Sequence, residues 1–147
     1  MNRESLVLSS PDNNIGLPAS PTKPRIVIAD DYGPMLAEVS RLLRSEFEIV
    51  AAVSNGAWAV KCVTEMEPDA VVLDIHMPEL GGINAAQSLK RTGSAVKVVF
   101  LTIETDPEYV KIATAMGASY VVKSRIGSDL GVALKEALAG RVFVSSR

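Results

Sequence analysis

The chain has 147 residues, of which 48% are hydrophobic and 22% are charged, and its formal net charge is -2. This composition is typical of one globular domain, and fifteen Lys and Arg against seventeen Asp and Glu give no basic excess for binding a phosphate backbone. The single cysteine, Cys62, excludes an intramolecular disulfide, and no apolar run approaches the roughly 20 residues that cross a bilayer. We therefore expect a cytoplasmic protein whose chain binds neither membrane nor nucleic acid.

The first 24 residues differ in composition from the rest of the chain. They hold four of the eight prolines, together with several serines and asparagines. Such a segment buries too little apolar surface to fold on its own. We predict a flexible tail over residues 1–24, an ordered domain over residues 25–140 and a linker stub over residues 141–147.

From Arg25 onward, short apolar runs rich in β-branched residues alternate with longer segments of helical period. Nearly continuous apolar runs indicate a sheet buried on both faces, which requires parallel strands joined by helices. The predicted strands cover residues 26–29, 49–53, 70–73, 96–101 and 120–122.

Capping and turn signals predict one helix after each strand. The helices are expected to begin at or near Pro34, Asn55, Gly82, Pro107 and either Ser128 or Asp129. Asp106 is the expected cap of the fourth helix, because its carboxylate can accept a backbone N–H of the first turn. Five β-α units in about 115 residues predict a small doubly wound α/β domain.

Charged and hydroxyl side chains follow four of the five predicted strands. Asp30 and Asp31 follow the first, Asp74 the third, Thr102 the fourth and Lys123 the fifth. Because the carboxyl ends of parallel strands meet at one edge of the sheet, where ligands bind, we expect these side chains to lie together.

The expected cluster has a specific chemistry. Three neighbouring carboxylates raise one another's pKa unless a cation offsets their charge, and oxygen ligands of this kind suit Mg²⁺. Lys123 adds a compact positive charge and Thr102 a hydroxyl donor. Singly, each residue has an ordinary explanation, such as a helix cap or a solvated charge. Together they favour transfer of a phosphoryl group to or from a carboxylate.

The motifs that carry these residues resemble the receiver domain of bacterial two-component response regulators. They are Asp30-Asp31, residues 71–78 followed by Gly81-Gly82, Leu101-Thr102, and residues 117–123. The resemblance covers residues 25 to about 140. It implies a flavodoxin-like fold with five parallel strands in the order 2-1-3-4-5.

The resemblance also implies roles for individual residues. Asp74 resembles the phosphoacceptor, Asp31 a direct Mg²⁺ ligand, and Asp30 a ligand acting largely through water. The backbone carbonyl of His76 would complete the protein's share of the coordination. Thr102 resembles the hydroxyl that meets the phosphoryl group.

Three further positions follow from the same resemblance. Lys123 resembles the cation that pairs with the phosphoryl group. Tyr120 resembles the aromatic switch residue that turns inward when Thr102 shifts, changing the surface of the fourth helix, fifth strand and fifth helix. Ser124 stands where the family usually has proline, as in the subfamily with LuxR-type helix-turn-helix output domains.

As a receiver, the chain is expected to take its phosphoryl group from a histidine kinase or phosphotransfer protein. It would catalyse only its own phosphorylation and slow dephosphorylation, without being a turnover enzyme, and phosphorylation could produce a homodimer. The chain is either a stand-alone receiver, acting through protein contacts or a phosphorelay, or part of a longer transcription regulator. A DNA-binding helix-turn-helix domain would require roughly 60 more residues.

Three other classes of function are alternatives. An Asp-nucleophile phosphatase needs two acids separated by one residue after the first strand, but Tyr32 occupies the second place. A flavin-binding module needs a phosphate loop there, whereas Asp30 and Asp31 would repel an anion. A degenerate receiver that only binds partners would lack chemical groups that this chain retains.

Overall fold

The computed structural model describes residues 22–103 and 105–146, so most of the predicted tail lies outside the described residues. The strands are β1 (Arg25–Ala29), β2 (Glu48–Val53), β3 (Ala70–Asp74), β4 (Lys97–Thr102) and β5 (Ser119–Val122). The helices are α1 (Gly33–Leu43), α2 (Gly56–Met66), α3 (Gly82–Arg91), α4 (Pro107–Ala115) and α5 (Ile126–Leu138). A 3₁₀ turn over Lys123–Arg125 joins β5 to α5.

The five strands form one parallel sheet in the order β2-β1-β3-β4-β5, as predicted. One apolar core contains side chains of α1 and α5, such as Leu43 and Leu134. The second, on the other face, contains side chains of α2, α3 and α4, such as Val63 and Leu89. The chain reverses its winding direction between β1 and β3, where α/β sheets open a crevice.

Asp106 caps α4 as predicted, and Asn55, near which α2 was expected to begin, caps that helix. The Asn55 carboxamide oxygen accepts the Trp58 N–H at 2.8 Å, and the Asp106 carboxylate accepts the Glu108 N–H at 2.9 Å. Each bond satisfies a donor that the helix itself leaves unpaired, which fixes where α2 and α4 begin.

The expected cap of α5 at Ser128 or Asp129 is wrong. The helix begins at Ile126, and its N-cap, Arg125, makes no side-chain capping bond. The 3₁₀ turn runs directly into the helix, so the chain needs no capping side chain at Ser128. Asp129 instead lies within the first turn of α5, buried and bonded to Arg125.

The predicted stub makes an ordered contact with the sheet. Residues 143–145, which we call the C-terminal strap, lie beside β5, with Val144 in a parallel bridge to Tyr120. The domain boundaries at residues 24 and 140 stay predictions. Across the described part of the chain, no helix has the length and apolarity that a membrane crossing requires.

Gly82 begins α3 directly against the backbone of Asp74. A methyl group here would collide with the Asp74 carbonyl oxygen and lie 3.1 Å from the Ile75 Cα. Because these are backbone atoms, no side-chain rotation relieves the contact. We expect Gly82→Ala to lower the free energy of unfolding by about 2 kcal/mol, measured by urea denaturation.

Gly131→Ala in α5 is the matched control. Nothing lies within 4 Å of a methyl group at that position. Because alanine favours the helix, this variant should raise the free energy of unfolding by about 0.5–1 kcal/mol. Equal effects of the two substitutions would contradict the packing assigned to Gly82.

Candidate functional site

A single lysine bridges two buried carboxylates at the carboxyl edge of the sheet. Lys123 Nζ lies 2.8 Å from Asp30 Oδ2 and 3.2 Å from Asp74 Oδ2. Asp30 and Asp74 are 2% and 4% exposed. The three residues come from the ends of β1, β3 and β5, so the parallel order of the sheet creates the contact.

Each of the two carboxylates divides its oxygens between the backbone and the lysine. Asp30 Oδ1 accepts the Tyr32 N–H at 2.9 Å, and Asp74 Oδ1 accepts the His76 N–H at 3.3 Å. The Oδ2 atoms face Lys123. The local turns after β1 and β3 therefore orient the carboxylates toward one point.

Asp31 joins this cluster from a more exposed position. Carboxylate oxygens of Asp30, Asp31 and Asp74 all lie within 4.8 Å of one another. The structure thus brings together the three acids that the sequence predicted to be neighbours. Their donor set consists of oxygen atoms, which suits a hard divalent cation.

Burial governs the electrostatics of the site. Burial, together with the neighbouring charge of Asp30, raises the pKa of Asp74 to about 6 although Lys123 and the His76 N–H act in the opposite direction. For Lys123, burial disfavours the charged form, but the hydrogen bond to Asp30 and the charges of Asp74 and Asp30 outweigh it and raise the pKa. The lysine is therefore held as a cation beside two acids.

Thr102 and Tyr120 lie on the neighbouring strands β4 and β5. Thr102 ends β4, is buried, and pairs with Val122, the residue before Lys123. The ring of Tyr120 is fully buried, and its hydroxyl oxygen accepts the Asp106 N–H at 3.3 Å. Burial raises the pKa of Tyr120, whereas the hydrogen bonds to Asp106 and to the Thr102 side chain lower it.

Two further sequence positions have defined surroundings. His76 is exposed, and its ring meets that of Tyr109 on α4 edge-on, with centroids 5.5 Å apart. The ligand role of the His76 carbonyl stays a prediction. Ser124 lies in the 3₁₀ turn, and the described residues contain no cis peptide bond.

Sequence reasoning missed part of the role of two residues. Asp106 was predicted only as a helix cap, yet its amide also holds the Tyr120 hydroxyl. Gly82 was predicted to begin the third helix and belongs to one of the quoted motifs, yet it also permits close approach to the Asp74 carbonyl. The Gly81-Gly82 pair in the sequence was the signal that could have indicated the close approach of Gly82 to the Asp74 carbonyl.

The chain is similar in sequence to known regulatory proteins. The transcriptional regulatory protein DegU of Brevibacillus brevis is 35% identical over 125 residues, covering 83% of this chain and 53% of that protein. The transcriptional regulatory protein PrrA of Mycobacterium tuberculosis is 36% identical over 122 residues, covering 82% of this chain and 52% of that protein. The chain thus spans about half the length of these curated relatives.

Solved structures agree with the sequence relatives. The crystal structure of a LuxR-family two-component response regulator from an Aurantimonas species superposes with a TM-score of 0.76 at 28% identity. The match covers 83% of this chain and 89% of that one. Residues 26–134 match the model of the response regulator receiver domain, and the chain belongs to this family.

Proposed function

We propose that Asp74 accepts a phosphoryl group from a histidine kinase or phosphotransfer protein in a Mg²⁺-dependent reaction. The observation that carries the proposal is the contact of Lys123 Nζ with both Asp74 Oδ2 and Asp30 Oδ2. It provides a nucleophilic carboxylate next to a fixed positive charge, and phosphoryl transfer depends mainly on positioning and electrostatics.

The residues around Asp74 have distinct tasks in this reaction. A carboxylate oxygen of Asp74 forms the new bond to phosphorus while the bond from phosphorus to the donor breaks. Lys123 offsets negative charge on the transferred group, and the Thr102 hydroxyl donates a hydrogen bond to one of its oxygens. The turn after β3 keeps Asp74 in place, since its Oδ1 accepts the His76 N–H.

The acidic residues fit a bound Mg²⁺. Asp30 Oδ2 lies 2.8 Å from Lys123 Nζ, and a carboxylate oxygen with this one partner retains a lone pair for a cation or its bound water. Asp31, Asp74 and the His76 carbonyl would complete the protein ligands, with Asp30 acting largely through water. When bound, the ion supplies positive charge that offsets the carboxylates and the phosphoryl oxygens.

The signal would leave the site through Thr102 and Tyr120. Thr102 shares a hydrogen bond with the buried Tyr120 hydroxyl, which also accepts the N–H of Asp106, the N-cap of α4. Engagement of Thr102 by a phosphoryl oxygen would favour one arrangement of these groups over others. We therefore assign the output surface to α4, β5 and α5. Phosphorylation would change this surface by shifting the population between conformations that the unphosphorylated receiver already adopts.

The output itself is proposed from the relatives. The curated relatives named above are transcriptional regulatory proteins about twice as long as the matched region. We propose that this receiver works in the cytoplasm and controls transcription as part of a longer regulator. Its own chemistry would be limited to self-phosphorylation and slow dephosphorylation. A stand-alone receiver that acts by protein contact is the alternative, and DNA binding by a longer form discriminates between them.

Acetyl phosphate with Mg²⁺ tests the assignment of Asp74. We expect the wild type to gain one phosphoryl group by intact mass, and Asp74→Asn to gain none because the amide is not a nucleophile. Asp69→Asn is the matched control at the opposite end of β3, and it should be modified like the wild type. Modification of Asp74→Asn to the wild-type level would refute the assignment.

The raised pKa of Asp74 also predicts pH-dependent stability without divalent cations. The folded value of about 6 lies above the ordinary 3.8, so the folded protein binds the proton more tightly. The free energy of unfolding therefore falls as the pH rises from about 4 to about 7. Asp74→Asn removes the buried charge and should gain about 1 kcal/mol over wild type at about pH 7.5, and less at about pH 4.5.

Urea denaturation in the presence of a chelator measures this difference. A gain for Asp74→Asn that is the same at both pH values would contradict the assigned pKa shift.

A further inference from the structure

The C-terminal strap extends the sheet beyond β5. The Tyr120 N–H donates to the Phe143 carbonyl oxygen, and the Ser145 N–H donates to the Tyr120 carbonyl oxygen, both at 2.8 Å. The Phe143 N–H donates to Ser119 Oγ at 3.0 Å. The outer edge of β5 is therefore paired with residues that follow α5.

A buried hydroxyl anchors the strap. Ser145 is 3% exposed, and its Oγ accepts the Val122 N–H at 3.2 Å and donates to Asp129 Oδ2 at 2.7 Å. Asp129 also accepts from the Arg125 guanidinium and the Ser128 hydroxyl. Loss of the Ser145 hydroxyl would leave the buried Val122 N–H and the buried Asp129 carboxylate each short of one hydrogen-bond partner. The strap therefore docks on β5 in one specific position.

Tyr120 belongs to both the strap contact and the site. Its backbone N–H and carbonyl oxygen bond the strap, whereas its hydroxyl bonds the Thr102 side chain and the Asp106 amide. Thr102 pairs with Val122, the residue before Lys123, where β4 lies against β5. A change in how firmly the Tyr120 ring is held therefore alters the strand to which the strap is bonded.

We propose that the strap is a conformational output element, coupled to the Asp74 site through Tyr120, and that loading the site strengthens its docking on β5. The proposal rests on the proposed function, since it requires a phosphoryl group at Asp74. A phosphoryl oxygen accepts a hydrogen bond from the Thr102 hydroxyl, and the Thr102 oxygen can then accept one from the Tyr120 hydroxyl. A ring held more firmly reduces opening of β5, and the strap bonds open less often.

Amide hydrogen exchange measured by NMR tests the coupling. With Mg²⁺ and beryllium fluoride, a phosphoryl analogue, the protection factors of the Ser145 and Tyr120 amides should rise about fivefold or more over Mg²⁺ alone. Tyr120→Phe keeps the backbone bonds to the strap but lacks the hydroxyl. Because its ring lacks the bonds to Thr102 and Asp106, strap protection in this variant should be the same with and without beryllium fluoride.

Ser145→Ala tests the anchor, with Ser146→Ala as the matched control. Ser146 is the exposed neighbour. Ser145→Ala should lower strap protection in the unloaded protein, whereas Ser146→Ala should not. Coupling is reciprocal, so Ser145→Ala should also weaken beryllium fluoride binding by the factor by which loading stabilises the strap. Ser119→Ala removes the partner of the Phe143 amide and serves if Ser145→Ala fails to fold.

The outcomes separate the two proposals. If fluorine NMR shows that beryllium fluoride binds while strap protection and the affinity of Ser145→Ala are unchanged, the strap proposal is overturned and the proposed function stands. If beryllium fluoride does not bind and acetyl phosphate does not modify Asp74, both are overturned.

Discussion

The site depends on the contact of Lys123 with Asp30 and Asp74. Two carboxylates this deeply buried carry a desolvation cost of several kcal/mol, and a cation at 2.8 Å and 3.2 Å offsets much of it. The balance is incomplete, because Asp31 adds a third carboxylate within 4.8 Å of the others. Three negative charges and one positive charge leave two negative charges, which matches the charge of one divalent cation.

This incomplete balance connects stability with signalling. The raised pKa of Asp74 is the sign of a carboxylate that is poorly solvated and close to another acid. A group in this condition gains more from a cation than an exposed aspartate does. Unbalanced buried charge at the site lowers the free energy of unfolding. Apolar burial elsewhere in the core, as in the fully buried strand β3, offsets this loss.

Much of the architecture could be predicted from the sequence, whereas several contacts could not. Apolar runs and caps such as Asp106 locate the elements because burial and helix ends have local signatures. Periodicity does not determine strand order, so the order came from a family resemblance. The start of α5 was misplaced because a 3₁₀ turn leaves no capping side chain to read. The bond of Ser145 to Asp129 was missed because both residue types usually lie at the surface.

The strap also bears on the switch role proposed for Tyr120, which lies in a strand near the edge of the sheet. Without residues 143–145, both backbone polar groups of Tyr120 that now bond the strap would face outward from an edge strand. Such an edge invites pairing with other chains and frays easily. With the strap in place, β5 has a neighbour on each side, so its backbone is fixed while its tyrosine hydroxyl remains linked to Thr102 and to α4. Exchange of partners at the tyrosine hydroxyl would then change how often these backbone bonds open, not which backbone bonds form.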